Sequence, residues 1–418
     1  MELQALKGFK DILPGESESW QWLEAKARNI FQRFGFSEIK VPILEKTELF
    51  ARSIGEATDI VEKEMYTLID RNGESITMRP EGTAPVLRAF IENALHTRQP
   101  VQRLFTIGPM FRHENPQKGR LRQFHQMSVE VIGTHNPKLD AEVMAMAWTL
   151  LDECGLTASL EINSLGCKAC RPAYRQALTA FLAGIKDTLC EDCKRRTDTN
   201  PLRVLDCKNP ECRNKLGNAP SILDNLCSPC NDHFVAVKNG MEILNVPFTV
   251  NSFMVRGLDY YTRTTFELVT DQLGAQSAVG AGGRYDGLVE QLGGPDLPGF
   301  GFGIGMERVL LLMEQKNILP PAQEADLFIA ALGDNALEKA YALLQVLRVK
   351  GLKASMDIEG RSLKSQMKQA NRVNARFTLI LGEDELAKGQ GVLRDMSTKE
   401  QQEISFTDID AIMAATKK

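Results

Sequence analysis

Two polar stretches in the first third of the sequence contain the residue types needed to bind a nucleotide. Residues 108–114 (GPMFRHE) and 119–126 (GRLRQFHQ) combine arginines with aromatic and amide side chains. We expect two strands joined by a basic loop, with Phe124 against a planar base and the guanidinium groups on phosphate oxygens. The loop taken alone could also be a solvated charged turn, because charge runs usually face water.

A glycine-rich stretch later in the chain is a second candidate for ligand contact. In residues 299–308 (GFGFGIGMER) glycine occupies every second position up to Gly305, and Arg308 follows. Glycines in a strand allow a ligand to approach the backbone closely. The frame is not G-x-G-x-x-G after a parallel strand, so we reject dinucleotide binding.

Three short peptides combine charged residues with tyrosines, threonine or glycines. They are residues 79–83 (RPEGT), 256–263 (RGLDYYTR) and 281–288 (AGGRYDGL). Two adjacent tyrosines could simply pack in a core. Buried polar groups need partners, however, and such clusters often mark functional sites. We therefore interpret these peptides as parts of a binding site.

The cysteines are confined to one region of the chain. None of the nine precedes Cys154, and eight fall between Cys167 and Cys230. Their C-x-x-C spacings are typical of zinc knuckles, and eight thiolates could form two tetrahedral sites, although free thiols are also common in a reducing cytosol. The candidate ligands are Cys167, Cys170, Cys190, Cys193, Cys207, Cys212, Cys227 and Cys230.

The composition is that of an ordinary globular protein with two or three domains. The chain has 418 residues, 43% hydrophobic and 25% charged, with a formal net charge of −4. No segment is typical of a signal peptide or a membrane span, so we expect a cytoplasmic protein without membrane contact. Because the net charge is negative, RNA contact must come from local basic patches. One candidate patch contains Arg361, Lys364, Lys368, Arg372 and Arg376 at steps of three or four.

Periodicity and turn signals predict the elements that would position these residues. Helices are expected at residues 17–34, 140–154 and 306–314, and strands at 38–41, 66–70, 75–79, 103–107, 123–132, 253–261 and 265–269. Strands joined by hairpins favour an antiparallel sheet over βαβ units. After Pro320-Pro321 the pattern changes to strand 327–332, helix 336–350, strand 352–357, helix 363–373 and strand 377–381, which predicts a separate α/β domain.

In this order, the segments resemble the signature motifs of class II aminoacyl-tRNA synthetases. Residues 38–50 resemble the first motif, which builds the dimer interface, and the two nucleotide stretches resemble the second and third. The three peptides resemble the substrate loops of the histidyl-tRNA synthetase family. The resemblance implies an α+β catalytic domain with an antiparallel sheet flanked by helices at residues 1–320. A Cys-rich insertion at about 165–235 interrupts it, and an α/β anticodon-binding domain follows at 324–418.

The resemblance also implies roles for individual residues. It makes Arg112 and Arg256 catalytic. The implied histidine-binding residues are Glu81, Gly82, Thr83, Gln126, Glu130, Leu258, Asp259, Tyr260, Tyr261 and Tyr285, with Glu130 and Tyr261 on either side of the imidazole. The implied ATP-binding residues are Arg112, Glu114, Arg120, Phe124, Gly303, Gly305 and Arg308. The implied tRNA-binding residues are Gln117, Lys118, Arg361, Lys364, Lys368 and Arg372.

The function implied is activation of L-histidine by ATP with Mg²⁺ and transfer to the 3′ end of tRNA(His) by a homodimer. A substrate carboxylate is already ionised at pH 7, so the first step needs fixed cations and not a base. Relatives in which the insert lacks the cysteine pairs imply that any zinc is structural. The main alternative is the non-catalytic regulatory subunit of ATP phosphoribosyltransferase. A zinc-dependent nucleic-acid-binding protein and a threonyl- or prolyl-specific relative are further alternatives.

Overall fold

A computed structural model describes residues 3–55, 58, 60–207, 209–273, 278–320 and 325–416. The chain divides after Pro320 into two compact units. Pro321, the second residue of the predicted linker, lies outside the described residues. Because the two units are separate, each can be described by itself.

The first unit contains one large and one small sheet, together with helices. In chain order its elements are α1 (Ser17–Arg33), β1 (Ser37–Glu38), β2 (Leu44–Lys46), α2 (Thr47–Ile54), β3 (Tyr66–Ile69), β4 (Ser75–Met78), α3 (Thr83–Glu92), β5 (Gln102–Phe111), β6 (Gln123–Ile132), α4 (Pro137–Glu153) and β7 (Ser159–Ser164). The insert follows with α5 (Arg171–Ile185), α6 (Glu191–Thr199), α7 (Pro210–Lys215) and α8 (Ser228–Ile243). The unit ends with β8 (Thr249–Val250), β9 (Thr262–Val269), β10 (Ala278–Arg284), α9 (Leu288–Gln291), β11 (Gly299–Gly305) and α10 (Met306–Gln315).

The large sheet is antiparallel except at its two edges. Its strand order is β1-β5-β6-β11-β10-β9-β7-β8, with parallel pairing between β1 and β5 and between β7 and β8. The long β5–β6 pairing runs from Gln102 opposite Ile132 to Phe111 opposite Gln123. Hairpin connections produce this antiparallel pairing, whereas a parallel sheet needs crossover helices. The predicted antiparallel sheet flanked by helices is confirmed.

The alternation of side chains along the strands separates a core face from an open face. On β6, Met127, Val129 and Val131 join the main hydrophobic core, which also contains Leu23 and Phe31 of α1. The alternate residues of the strand, at positions 126, 128 and 130, are polar and lie on the opposite face. The core therefore occupies one side of the sheet, and the other side is available for a polar site.

The predicted strand at residues 253–261 is wrong. The structure has a two-residue strand at Thr249–Val250, and then an irregular segment up to β9. The Asn251 side chain accepts a hydrogen bond from the Phe253 N–H at 3.1 Å, which turns the chain out of the sheet. Two backbone carbonyls of the segment, those of Gly257 and Tyr261, accept hydrogen bonds from arginines of the insert. Similarly, of the strand expected at residues 38–41 only Glu38 lies in the sheet, as the second residue of β1.

The second unit is an α/β domain, as predicted. Its elements are β12 (Leu327–Ala331), α11 (Asp334–Val349), β13 (Ala354–Met356), α12 (Leu363–Arg372), β14 (Phe377–Leu381), α13 (Glu383–Lys388), β15 (Gln390–Asp395), β16 (Gln401–Ser405) and α14 (Ile409–Thr416). Strands β13, β12 and β14 are parallel, and β15 and β16 extend the sheet in antiparallel fashion. Among the helices of the described ranges, none combines the length and apolarity that a membrane span requires.

The basic patch of the second unit is shorter than the sequence indicated. Helix α12 begins after Ser362 and ends at Arg372. Arg361 precedes the helix, and its guanidinium lies 3.8 Å from the Asp357 carboxylate. Arg376 follows the helix, beside Phe377. The stripe on one helical face therefore consists of Lys364, Lys368 and Arg372, all of them exposed.

Candidate active site

A cavity of about 390 Å³ lies on the open face of the large sheet. Its walls come from the β5–β6 hairpin, the first turn of α3, strand β11 and the irregular segment before β9. The structure brings together in this wall most of the residues singled out from the sequence: Glu81, Gly82, Thr83, Arg112, Glu114, Arg120, Phe124, Gln126, Arg256, Leu258, Tyr260, Tyr261, Gly303, Gly305 and Arg308.

The glycines of β11 make room for the polar side chains of the site. A Cβ atom built on Gly299 would lie 1.9 Å from the Tyr285 ring, and one on Gly301 would lie 2.1 Å from Glu130 Oε2. A Cβ on Gly303 would meet the Gln126 amide at 3.3 Å. Strand β11 pairs with β6 in a register that sets Gly301 opposite Glu130. Alternating glycines are therefore required by side chains that cross the strand, which explains the pattern in the sequence.

Glu130 is buried behind the cavity wall and is hydrogen-bonded on both oxygens. Thr83 Oγ1 donates to Glu130 Oε1 at 2.6 Å, and the Tyr285 hydroxyl donates to Oε2 at 2.6 Å. Burial raises the pKa of Glu130 to about 8, despite these two donors, and the nearby Glu81 carboxylate acts in the same direction. Glu130 and Tyr285 are thus one layer behind Thr83, and the carboxyl is largely protonated at pH 7.

Glu81 caps helix α3 at the edge of the cavity. Its oxygens accept hydrogen bonds from the backbone N–H groups of Thr83 at 2.6 Å and Ala84 at 2.8 Å. A carboxylate at a helix N-terminus satisfies amide donors that the helix itself leaves unpaired. Burial raises the pKa of Glu81, although these amides and Arg112 oppose the shift. The cap orients an acidic group toward the cavity.

The opposite end of the cavity is strongly basic. The Arg112 guanidinium lies 5.3 Å from the centre of the Phe124 ring, and its Nε donates to the Pro80 carbonyl at 2.8 Å. Burial lowers the pKa of Arg308, and the neighbouring Arg120 and Arg112 lower it further by like-charge repulsion. Arg120 forms an ion pair with Glu114. Three cations gathered this closely favour a bound polyanion such as a nucleotide phosphate.

Arg256 lies between the basic end and the tyrosines. Its guanidinium lies 5.1 Å from the centre of the Tyr261 ring and forms an ion pair with Glu267. Its Nε is buried and has no hydrogen-bond partner among the described residues. An unmatched buried donor costs free energy, so this position suits a ligand oxygen. Sequence reasoning missed Glu267, because nothing in the β9 sequence distinguishes it from a surface glutamate.

Besides Glu130 and Tyr285, which lie behind the wall, three residues predicted to belong to this site lie outside it: Asp259, Gln117 and Lys118. Asp259 is an exposed residue on the side of the insert, where Arg203 and Arg171 are its electrostatic partners; partial desolvation raises the pKa of its carboxyl, and both arginines oppose the shift. Gln117 and Lys118 are exposed on the loop between β5 and β6, where the Gln117 and Arg120 backbones pair. The cavity therefore excludes the aspartate that sequence reasoning placed beside the histidine.

The eight cysteines of the insert form two groups. We call Cys167, Cys170, Cys227 and Cys230 the outer cluster, and Cys190, Cys193, Cys207 and Cys212 the inner cluster, which is nested within it in the sequence. In each cluster the four sulfur atoms lie within 4.8 Å of one another. All are free thiols in the described chain. Cys154, the ninth, is buried separately in the main core.

The sulfur geometry suits a single tetrahedral ion. The Sγ–Sγ distances are 3.7 Å for Cys167–Cys170, 3.9 Å for Cys167–Cys227 and 3.9 Å for Cys190–Cys207. Four thiolates at about 2.3 Å from Zn²⁺ are about 3.8 Å apart. Burial opposes ionisation of Cys167, but the backbone N–H groups of Cys170 and Ala169 outweigh it and lower the pKa of this thiol to about 6. The donor set therefore fits zinc.

A mostly antiparallel sheet with an arginine-lined cavity on its open face gives the first unit the fold of a class II aminoacyl-tRNA synthetase. A family model described as histidyl-tRNA synthetase matches residues 8–188 and 211–309, and one described as anticodon binding domain matches residues 326–416. The chain belongs to the histidyl-tRNA synthetase family. The matched segments leave out residues 189–210, which include Cys190, Cys193 and Cys207.

Individual relatives agree with this assignment. The chain is 60% identical to a histidine–tRNA ligase of Desulfotalea psychrophila over 99% of this chain and 96% of that one. It is similar to the solved structure of apo histidyl-tRNA synthetase of S. aureus, with a TM-score of 0.82, 38% identity and full coverage of both chains. The family and the fold class predicted from the sequence are confirmed.

The fold alone does not separate the ligase from its main alternative. A solved structure from Bacillus halodurans C, described as an ATP phosphoribosyltransferase regulatory subunit/histidyl-tRNA synthetase, shares the fold with a TM-score of 0.65 and 20% identity. It covers 91% of this chain and 99% of that one. The distinction must therefore come from the site residues and the close relatives.

Proposed function

We propose that the protein is a histidine–tRNA ligase that uses MgATP. The histidine carboxylate attacks the α-phosphorus of ATP, the bond to the β-phosphate breaks, and diphosphate leaves. The 3′-terminal ribose hydroxyl of tRNA(His) then attacks the adenylate carbonyl, and AMP leaves. The observation that supports this best is one cavity with the clustered arginines Arg112, Arg120 and Arg308 at one end and a buried Thr83–Glu130–Tyr285 hydrogen-bond chain at the other.

The first step depends on fixed cations. We assign Arg112 to the α-phosphate and Arg256 to the oxygens shared between the histidine carboxylate and that phosphate, where the unpaired Nε of Arg256 is available. Arg120 and Arg308 would bind the outer phosphates, and Mg²⁺ would neutralise the remaining charge of the bound ATP. Positive charges positioned before the reaction stabilise the transition state without reorganisation, so no general base is required.

The adenine and the ribose side of ATP would occupy the hairpin end of the cavity. The Arg112 guanidinium lies over one face of the Phe124 ring. The adenine would stack on the Phe124 ring as well, because aromatic faces bind nucleobases by stacking. Glu114 lies beside it and could accept from the adenine amino group. Gly303 and Gly305 leave the backbone of β11 open to the nucleotide.

The amino acid would be recognised at the acidic end. Glu81, Thr83 and Gln126 would bind the α-amino group, while Glu130 and Tyr261 would bind the two imidazole nitrogens, with Gly82, Leu258 and Tyr260 completing the wall. A carboxylate has about four lone-pair sites, so Glu130 can accept an imidazole N–H in addition to its two present donors. Tyr285 then positions Glu130, and Asp259 supports the loop outside the cavity.

The tRNA would be bound by separate basic surfaces. Lys364, Lys368 and Arg372 form an exposed stripe in the unit that matches the anticodon-binding family model. Gln117 and Lys118 are exposed on the loop beside the ATP end, where the acceptor end must arrive. Arg361 adds charge beside the helix, partly offset by Asp357. Phosphate contacts of this kind make binding strongly dependent on salt.

We further propose a cytoplasmic homodimer. The small sheet β2-β4-β3 exposes Leu44, Leu68 and Ile69, and Ile43 precedes it with 41% exposure. Exposed apolar residues that cluster on one sheet favour a protein interface. Sedimentation at micromolar concentration should give twice the chain mass of 46.5 kDa, and a monomer would contradict the proposal.

Zinc in both cysteine clusters is proposed as a structural component. The metal would neutralise and cross-link thiolates, and it has no place in the reaction because both clusters lie outside the cavity wall. Elemental analysis of freshly purified protein should give about two zinc ions per chain. A content below about one zinc per two chains would refute this proposal.

The catalytic proposal is tested by ATP–diphosphate exchange with each amino acid in turn. Exchange that depends on histidine supports the ligase. Exchange with threonine or proline would indicate a relative of different specificity. No exchange with any amino acid would favour the non-catalytic regulatory subunit.

A further inference from the structure

Two arginines of the insert contact the loop at residues 256–261. Arg203 Nη2 donates to the Gly257 carbonyl at 3.1 Å, and Arg171 Nη2 donates to the Tyr261 carbonyl. This loop carries Arg256 and Tyr261, both of which line the cavity. It is not a strand, so it lacks the backbone ladder that would otherwise fix its shape. Its conformation therefore depends on side chains outside the catalytic sheet.

Arg171 is connected directly to the outer cluster. It follows Cys170 as the first residue of α5, and its Nε donates to the Leu165 carbonyl at 3.3 Å. The Leu165 N–H in turn donates to the Arg263 carbonyl at 2.7 Å, and the Arg263 N–H donates to the Gly166 carbonyl at 2.9 Å. Residues 165–166, which precede the first C-x-x-C pair, are thus hydrogen-bonded to the backbone of Arg263 just after the loop, and Arg171 is hydrogen-bonded to the same segment.

The turn before Cys170 packs closely against that residue. Gly166 has a φ of +62°, and a Cβ atom built on it would lie 2.8 Å from Cys170 Cβ. Cys170 Sγ accepts a hydrogen bond from the Cys227 N–H at 3.2 Å, which connects the two halves of the outer cluster. Displacement of Cys170 would therefore displace Arg171.

Arg203 is connected to the inner cluster in the same way. It lies in the short 3-10 turn Pro201–Val204, between Cys193 and Cys207. The Cys207 N–H donates to the Val204 carbonyl at 3.1 Å, and Val204 is fully buried in the small core of the insert. The position of the Arg203 guanidinium thus follows from the position of Cys207.

The two arginines converge on one acidic residue of the loop. Asp259 has Arg203 and Arg171 as its electrostatic partners, and Arg171 also feels the charges of Cys167 and Cys170. Two guanidinium groups in the same region repel each other unless anions lie between them. Asp259 supplies such an anion, and the hydrogen bonds to the Gly257 and Tyr261 carbonyls hold the arginines on the loop.

We propose that the metal-loaded cysteine clusters position the 256–261 loop through Arg171 and Arg203, and that the insert thereby controls histidine binding. Arg171 and Arg203 are positioning residues, since neither needs to contact the substrate. This inference rests on the proposed histidine site and the proposed zinc. Without the metal, the loop populates other conformations, and the apparent affinity for histidine falls in proportion to the competent fraction.

The experiment measures histidine affinity by calorimetry without ATP, together with the zinc content of each variant. Arg171→Ala should keep its zinc and weaken histidine binding about tenfold or more, as loss of a supporting contact typically does. Arg171→Lys should recover part of the affinity, because a lysine can reach one of the two carbonyls. Arg175→Ala, one turn further along α5 and exposed, is the matched control and should bind histidine within about twofold of the parent.

A second variant tests the metal directly. Cys227→Ser should lose about one zinc per chain and weaken histidine binding to a similar degree. The KM for ATP in diphosphate exchange should rise less than about twofold in Arg171→Ala, which a general loss of folding would not allow.

The outcomes separate this inference from the proposals beneath it. Unchanged histidine affinity in Arg171→Ala, or in Cys227→Ser after loss of its zinc, would overturn the positioning role. Equal losses for histidine and ATP would also overturn it, because they indicate unfolding. Parent protein that binds histidine but fails in exchange would overturn only the proposed ligase activity. Parent protein without zinc would overturn the zinc proposal and this inference together.

Discussion

Lowering the pH from 9 to 7 should reduce kcat/KM for histidine, because Glu130 must be ionised to accept an imidazole N–H. Burial raises the pKa of this carboxyl to about 8, above its ordinary value near 4.5. A raised pKa means that the neutral form predominates below pH 8. A neutral carboxyl directs a proton at the imidazole nitrogen where an acceptor is needed. The rate constant should therefore fall as the pH drops through 8.

The size of the effect follows from this pKa. At pH 7, about one Glu130 in ten is ionised, and ionising the rest costs about 1.4 kcal/mol. At pH 9 that cost has disappeared. The expected change in kcat/KM between the two pH values is therefore about tenfold. Tyr285→Phe removes a donor to the carboxylate, which raises the pKa of Glu130 further and should move the profile to higher pH.

The assay is ATP–diphosphate exchange at limiting histidine, with Glu130→Gln as the control. The glutamine side chain cannot ionise. The variant uses the same substrate and retains Glu81, so the titrations of histidine and of Glu81 are common to the variant and the parent. At pH 9 the variant should be about ten- to a hundredfold slower than the parent, the cost of losing a charged hydrogen bond. Between pH 7 and 9, kcat/KM for histidine should change about tenfold less in the variant than in the parent.

Identical pH profiles for the parent and Glu130→Gln would refute this reasoning. They would mean that the pH dependence arises in the substrate or in another group. An equal pH effect on the KM for ATP would also count against it, because Glu130 lies at the end of the site away from the arginines.

Three further predictions follow from other parts of the structure. Arg256→Ala should retain histidine binding and lose about a hundredfold or more in exchange, since its charge is needed mainly in the transition state; near-normal exchange would contradict this role. Gly301→Ala should destabilise the protein by about 1–3 kcal/mol and weaken histidine binding, because the new Cβ would overlap Glu130 and the Val129 carbonyl. The control Gly184→Ala, which lies in open space on α5, should not lower the melting temperature. Lys364→Ala with Lys368→Ala should weaken tRNA binding and reduce the slope of log K against log salt by about two, whereas the exposed Lys339→Ala should not, and equal slopes would exclude phosphate contact.

Local patterns in the sequence were sufficient to predict much of the architecture. The two-residue period of β6 predicts which side chains join the core and which face the site, since it is a property of any strand. The hairpin between β3 and β4 and helix α10 also lie where their signals placed them. The spacing of glycines in β11 indicated close approach by another group, and the structure identifies that group as Tyr285, Glu130 and Gln126.

The missed elements depend on partners far away in the sequence. The segment at residues 253–261 has the composition of a strand, yet its carbonyls bind Arg171 and Arg203, which are about 90 and 54 positions distant. A local pattern cannot include such contacts, because tertiary packing overrides intrinsic preference. The same reason explains why Glu267 was missed as the partner of Arg256.

By itself, the sequence determined the family, the types of sheet in the two units and the residue types of a cationic site. These properties follow from periodicity, spacing and charge, which are local. Only the tertiary structure decided which cysteines share a cluster, which carboxyl is buried beside Thr83, and which arginines contact the loop at residues 256–261. Those pairings join positions as much as 90 residues apart, and their geometry depends on how the sheet and the insert pack together.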